Sequence, residues 1–387
     1  MAIDIIHTEN REQSLKSELN GIIKKVSDGC IKCNKCFDEC EFIRKHGRPK
    51  DIADKCNLQD LTDLEKAFEC SLCGLCKAVC PVEIDPLKMF IEMRREATKL
   101  NKSVLKYYNG LTAYEKIGTS KRYSWYGLPK GCNSIFFPGC TLSGTRPETT
   151  FKLFKYLKES IPNIGIVLDC CTKPSHDLGR EEYFNAMLGE MKNWLMYQGI
   201  KHIYAACPNC YSVLKDYGNG FSVHTVYDFI AYNGIPENPK VSGNITVHDP
   251  CVTRYEKGIH AGVRKIIKET GLDITEMPHS GMNTVCCGEG GAVRNLSPVL
   301  ARNWVNIRKN ENKGCRVITY CAGCAGKLSV EMPSSHLLDL LFYPEAVIEG
   351  NENVSRPPFT YWNRLRLKKK LKKEQDVIIW RERDFSA

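Results

Sequence analysis

Eighteen of the 21 cysteines fall into two patterns, each used twice, and no other feature restricts the fold of this chain as tightly. The first is C-x2-C-x2-C-x3-C, at Cys30, Cys33, Cys36 and Cys40 and again at Cys70, Cys73, Cys76 and Cys80. The second is spread over about seventy residues. It comprises Cys140, the doublet Cys170–Cys171, Cys207 and Cys210, then Cys251, the doublet Cys286–Cys287, Cys321 and Cys324. Equivalent cysteines of the second pattern lie 111 to 116 residues apart, the mark of two homologous modules.

The first residues, "MAIDIIHTENREQ", lack the basic and apolar regions of a signal peptide, and no run of eighteen apolar residues occurs. We therefore expect a cytoplasmic protein, in which thiols stay reduced and grouped cysteines serve as metal ligands. Two zinc sites are the alternative for the N-terminal runs; eight cysteines in two identical runs argue against it. Adjacent thiols suit neither structural zinc, whose cysteines stand two to four residues apart, nor a relaxed disulfide, since neighbouring Cα atoms are only about 3.8 Å apart. Side chains adjacent on a strand point to opposite faces, so a doublet reaches one object only where the backbone turns. Gly288, Gly290 and Gly291 permit such a turn after Cys287. Buried structural thiols, or a repeat that has lost its metal, are the plainer readings. The recurrence of all five positions weighs against both.

Leu15, Leu19, Ile22, Ile23 and Val26 predict an amphipathic helix over 10–27. A second is expected over 58–68, and a third from the Asp85–Pro86 cap to about 98. Residues 101–130 read as a connector. Beyond 134 the short apolar runs SIFF, IGIVLD, HIYAA, NITVH and RVITY alternate with helical stretches at 146–159, 180–198 and 260–270. That alternation predicts βαβ units with short parallel sheets. Most of the second-pattern cysteines then fall at carboxyl ends of strands, where open parallel sheets hold ligands. The expected fold is a multidomain α+β protein. A helical two-cluster ferredoxin domain with its connector (1–130) precedes two α/β cysteine-rich modules (131–238 and 239–345) and a basic tail (346–387).

The N-terminal runs are similar to those of bacterial two-cluster ferredoxins. That resemblance implies one [4Fe–4S] cluster on Cys30, Cys33, Cys36 and Cys80, and another on Cys70, Cys73, Cys76 and Cys40. Cys80 is followed by Pro81 but Cys40 by Glu41, a departure at the first turn. Over about 25–345, the whole pattern resembles the iron–sulfur oxidoreductase family of the heterodisulfide reductase D-subunit and B-subunit, the cysteine-rich CCG-domain proteins. Its members include iron–sulfur subunits of anaerobic glycerol-3-phosphate dehydrogenase, glycolate oxidase and thiol:fumarate reductase. The resemblance implies two noncubane [4Fe–4S] clusters, each held by five thiolates with the doublet bridging the fused part, although one module could be empty. Cys140, Cys170, Cys171, Cys207 and Cys210 would hold the first. Cys251, Cys286, Cys287, Cys321 and Cys324 would hold the second, with Gly288, Gly290 and Gly291 shaping its loop. The first module departs from the family motif, having Thr172 where glycine is usual.

The activity implied is reductive cleavage of a disulfide of the coenzyme M–coenzyme B type, with electrons passing through the N-terminal clusters. The alternative is an electron-transfer component of a flavin dehydrogenase, delivering electrons to quinone or cytochrome. No G-x-G-x-x-G follows a strand and no Walker motif occurs, so nicotinamide or flavin chemistry is assigned to a partner, a flavoprotein or a membrane b-type cytochrome. Cys56, Cys132 and Cys315 stand alone and read as inert thiols. His248 and Asp249 precede Cys251 closely enough to donate a proton, but a structural role at the strand end is preferred. The formal net charge is +10, and "RLRLKKKLKK" at 364–373 supplies seven of those charges, so no nucleic-acid face is expected. That segment reads either as a solvated helix or as a peripheral contact with an anionic membrane surface or acidic partner.

Overall fold

The computed structural model describes residues 18–374 and 376–383, so Leu15 and the first residues lie outside them. The described chain forms two compact units.

The first unit contains residues up to 109, together with 174–181 and 288–304. Residues 18–29 are helical and bury Leu19, Ile22 and Val26, as their spacing predicts. The expected helix over 58–68 is shorter and tighter: Leu61–Glu65 is α-helical and Lys66–Glu69 continues as 3-10. Asp60 caps its start by accepting from Thr62 N. The helix Pro86–Leu100 begins as predicted, with Asp85 accepting from Lys88 N and Pro86 at the first position. It buries Met89, Phe90, Met93 and Ala97.

The buried stripe of that helix also carries Arg94, 0% exposed. Its guanidinium donates to five carbonyls: Ala67 O (3.0 Å), Phe68 O (3.2 Å), Cys70 O (2.6 Å), Asp177 O (2.7 Å) and Gly291 O (2.9 Å). The acceptors come from the chain around Cys70 and from both inserted segments. Gly291 needs to be glycine here. Its φ is +58°, and a Cβ would lie 2.5 Å from Cys70 O.

The second unit holds the rest of the described chain. A six-stranded sheet contains β1 (Trp125–Leu128), β2 (Ser134–Phe137), β3 (Gly165–Leu168), β4 (His202–Ala205), β5 (Ser222–Thr225) and β10 (Ile379–Arg381), in the order β10-β1-β3-β2-β4-β5. A four-stranded sheet contains β6 (Asn244–His248), β7 (Asp273–Ile274), β8 (Arg316–Thr319) and β9 (Ser334–His336), in the order β7-β6-β8-β9. Strands β2 to β5 are parallel, and so are β6 to β9. The two quartets share one order, as a duplicated βαβ module requires. One apolar core serves both: Phe136, Phe154 and Ile166 join Ile245, Val263 and Ile318 in a single cluster. The hydroxyl of buried Tyr227 lies between Ala206 O and Tyr320 O, each 2.8 Å away and each able to accept its proton.

Two expectations require correction. Residues 101–130 are more than a connector, because they contain the helix Asn109–Gly118 and the fully buried β1, antiparallel to β3. Nor is the basic segment simply a solvated helix. It forms the helix Phe359–Glu374, which buries Leu367 and Leu371, and its Arg364 and Lys368 are buried too. Lys368 Nζ donates to Lys121 O and Arg122 O at 3.0 and 2.9 Å, and beyond it β10 pairs with β1. Long basic side chains can cover apolar surface with their stems while their heads find carbonyls. No helix among the described residues is long and apolar enough to cross a membrane.

Candidate metal centres

The first unit brings the eight N-terminal cysteines into two sets. The Cys36 thiol is pushed up to about 11 by burial and by the neighbouring Cys30, Cys33 and Cys80. Burial likewise raises Cys40, with Cys73 and Cys70 adding to it, and raises Cys76 beside Cys70, Cys73, Cys40 and Cys36. Cys80 thus neighbours the first run and Cys40 the second, as a ferredoxin exchange would require, while Cys76 also neighbours Cys36. The two loops also turn alike. Lys32 (φ 54°) and Asn34 (φ 69°) flank Cys33, while Leu72 (φ 50°) and Gly74 (φ 70°) flank Cys73. Left-handed residues at non-glycine positions carry strain and turn successive amides inward, the concavity that favours anionic clusters. Leu72 N donates to Cys70 Sγ at 3.4 Å. In place of a proline turn after Cys40, the helix Glu41–His46 starts there, with Cys40 at its cap. Four thiolates held together repel one another, so this all-sulfur donor set fits an iron–sulfur core.

In the duplicated half, Cys140 opens a helix after β2, Cys170–Cys171 follow β3, and Cys207 caps the helix Pro208–Tyr217 after β4. Gly139 makes their approach possible: at φ +79°, a Cβ there would lie 2.9 Å from Cys207 Cβ and 3.1 Å from Cys210 Sγ. The side chains form a continuous hydrogen-bonded series, Cys140–Cys170–Cys171–Cys210–Cys207. Cys171 is drawn down to about 6 by its bonds with Cys170 and Cys210, against its burial. In the second module Cys286, Cys287, Cys324 and Cys321 form the corresponding series. Cys251 stands just past β6 and Cys321 caps the helix Ala322–Leu328 after β8. The two sets adjoin: Asn209 Nδ2 lies 4.0 Å from Cys321 Sγ.

Both doublets turn in the same way. Gly288 follows the second at φ 88°, and Thr172 follows the first at φ 55°, its hydroxyl donating to Cys171 O at 2.8 Å. The missing glycine therefore leaves the turn unchanged in hand, although a β-branched residue is costly there. Gly288→Thr is accordingly expected to cost about 1–2 kcal/mol in urea unfolding, the left-handed penalty, while keeping the wild-type iron content. Iron loss with this variant would show that the two turns are not equivalent.

Of the two residues preceding Cys251, Asp249 is fully occupied. Arg264 grips it at 2.7 and 2.8 Å, Gly281 N donates to it at 2.8 Å, and Tyr320 Oη lies 3.2 Å away. Despite burial, Arg264 holds its carboxyl below the usual range. It is a structural anchor. His248 is 0% exposed, and burial, reinforced by Arg308, pushes its imidazole down to about 3, so the ring is neutral. A ligating atom of His248 and the Cys287 and Cys324 sulfurs lie within 4.8 Å of one another. Of the three lone cysteines, Cys132 donates to Ser134 O at 3.2 Å. Cys56 caps the helix Pro49–Lys55, burial raising its thiol to about 11, and Cys315 N bonds Asn312 O at 2.8 Å.

A 4Fe-4S dicluster domain matches residues 29–85, and a cysteine-rich domain matches twice, at 134–215 and 245–329. The chain belongs to the iron–sulfur proteins that join these two domains. The B-subunit of the fumarate reductase (CoM/CoB) of Methanothermobacter marburgensis is 25% identical to this iron–sulfur protein over 81% of the chain and 69% of its own length. The D-subunit of the dihydromethanophenazine:CoB–CoM heterodisulfide reductase of Methanosarcina barkeri is 22% identical over 71% of the chain and 80% of its own length. The EtfAB:quinone oxidoreductase of Syntrophomonas wolfei is 22% identical over 60% of the chain, which spans only 37% of that relative. The iron–sulfur protein is thus similar to iron–sulfur subunits of heterodisulfide and fumarate reductases.

Supporting residues of this iron–sulfur protein include some that the motifs do not mark. Asp169 Oδ1 accepts from Cys170 N at 2.7 Å, and its Oδ2 takes the Arg383 guanidinium at 2.7 Å. No local pattern joins residues 214 positions apart. Arg94 left a fainter sign: it stands four residues after Phe90 and one after Met93, on the stripe that the helix buries.

Proposed function

We propose that this chain is the electron-fed part of a disulfide-reducing oxidoreductase. The N-terminal sets would hold two [4Fe–4S] clusters and the two five-cysteine sets noncubane [4Fe–4S] clusters. What carries the reading is the adjacency of the two duplicated sets at Asn209 and Cys321, which suits a substrate with two sulfur atoms. Cleaving one disulfide consumes two electrons and two protons and yields two thiols. When bound, the clusters supply electrons singly. The ten thiols would work at the ends of parallel strands, where Asp169 accepts from Cys170 N and the Asp249 carbonyl accepts from the Thr284 hydroxyl. The name of the Methanosarcina relative makes a CoB–CoM heterodisulfide the substrate class to try first.

The second reading, a wire between a flavoprotein and a further acceptor, is favoured by burial: Cys170, Cys171, Cys286 and Cys287 are all at most 5% exposed. The relatives named as subunits support a partner subunit, and the partner proposed is an electron donor, either a flavoprotein or a b-type cytochrome. A peripheral contact at the inner face of the cell membrane would use exposed Phe359 and Trp362 beside exposed Arg366, Lys369 and Lys373.

The test is anaerobic purification, iron and sulfide analysis, and EPR after thiol and disulfide treatment. Disulfide reduction with reduced viologen as sole donor, together with a thiol-dependent signal, is the expected result. A colourless zinc-loaded protein would sink the iron reading. Iron-loaded protein that ignores thiols and turns over only with a flavoprotein would leave the wire.

A further inference from the structure

One of the positions at which the two modules differ faces their cysteines. Phe137 ends β2 and stands opposite Ala205 of β4; His248 ends β6 and stands opposite Thr319 of β8. Because β2 and β6 hold the same place in the two sheet orders, Phe137 and His248 are structural equivalents. Phe137 packs in one apolar cluster with Cys171 and Cys210. His248 lies within reach of their counterparts, Cys287 and Cys324.

The imidazole is unusual in its isolation. It is 0% exposed, and neither Nδ1 nor Nε2 has a hydrogen-bond partner among the described residues. Buried polar atoms are rarely left so, and a missing ion or water or a redox role is among the reasons. Asp249 is not that partner, since its carboxylate is taken by Arg264 and Gly281. Arg308 offers only donors and spends two of its nitrogens on His279 O and Glu311. Sulfur does approach it: a ring nitrogen and the Cys287 and Cys324 sulfurs lie within 4.8 Å of one another.

We propose that His248 donates a ring N–H to sulfur of the metal-binding set in the second module, and so makes that centre more easily reduced than the first. The inference rests on the reading that both modules bind iron–sulfur clusters. Hydrogen bonds to cluster sulfur are one of the levers on reduction potential, because they stabilise the added negative charge. An imidazole carries at least one such donor in either protonation state, whereas the Phe137 ring carries none. The duplication thus yields two unequal centres, with the electron resting preferentially on the second. His248 acts here as a positioning and tuning residue, distinct from the ten ligands.

The test uses the full chain, purified anaerobically, with iron and sulfide content and EPR-monitored redox titration as readouts. His248→Phe, which copies the first module, should keep wild-type iron and lower one of the two module potentials by about 59 mV or more. That corresponds to a tenfold change in the one-electron equilibrium. His248→Asn, which retains an N–H donor, should recover most of the shift. Phe137→His should raise the other potential. Iron-replete variants whose potentials do not move, or move together, would overturn the inference while leaving the iron reading intact. So would strong 14N coupling of a direct iron–nitrogen bond in the wild type. Wild-type modules without iron would remove the iron reading and this inference with it.

Discussion

Arg383→Met is expected to cost about 3–5 kcal/mol in urea unfolding, the usual penalty for stripping one partner from a buried ion pair. Arg383 and Asp169 are both 0% exposed, with 2.7 Å between Nη2 and Oδ2. Burial alone would discourage the guanidinium's charge; Asp169 and Tyr126 outweigh it. The same arginine donates to Tyr126 Oη at 3.2 Å and to Met187 O at 3.1 Å, so methionine would orphan several groups at once. Asp169→Asn in the Arg383→Met background should recover part of the loss by removing the unpaired charge. A single-variant cost below about 1 kcal/mol would place the pair in solvent-like surroundings and refute this account. The pair also bears on the first cysteine-rich module, because Asp169 holds the amide of Cys170. Deleting 362–387 to test membrane contact would thus remove β10 and this buried pair, and any change in fractionation would be confounded by unfolding.

The second large effect concerns which cysteines share a cluster. Cys33→Ser and Cys80→Ser should each remove one [4Fe–4S] cluster, about four irons. The double Cys33→Ser/Cys80→Ser variant should lose no more than either alone. Cys33→Ser/Cys73→Ser should lose about eight, because those residues belong to different sets. Non-additivity within a set and additivity between sets is the signature of shared ligation. The expectation follows from the neighbours of Cys36, which include Cys80, and those of Cys40, which include Cys70 and Cys73. Additive losses for Cys33 and Cys80 would refute the exchange.

Where local chemistry determined the structure, it was legible in the chain. Five apolar runs separated by helical stretches announced β2, β3, β4, β6 and β8 but not the parallel strands β5, β7 and β9, and Asp85–Pro86 announced a helix start. Cysteines following those runs implied convergence at strand ends, and contacts join five of them in the first module and four, without Cys251, in the second. The parts that were not legible depend on distant partners. WYGL and IWR are too short to carry a period; WYGL becomes a strand by pairing antiparallel with β3 and β10, and IWR by pairing with WYGL across some 250 residues. The stripe of Leu367 and Leu371 was hidden by lysine and arginine, whose charge suggested solvent although Arg364 and Lys368 are buried. Thr172 broke the expected motif without altering the handedness of its turn, because the fold outweighs a modest local penalty.

The arginine at position 94 has a consequence for biosynthesis. Its five acceptors come from residues 67–70, 177 and 291. A nascent chain that has emerged only as far as residue 109 possesses the arginine and all eight of the early cysteines, but lacks two of the carbonyls that satisfy it. The portion made first is therefore completed late. The last two acceptors of Arg94 become available only once residues 177 and 291 have been synthesised.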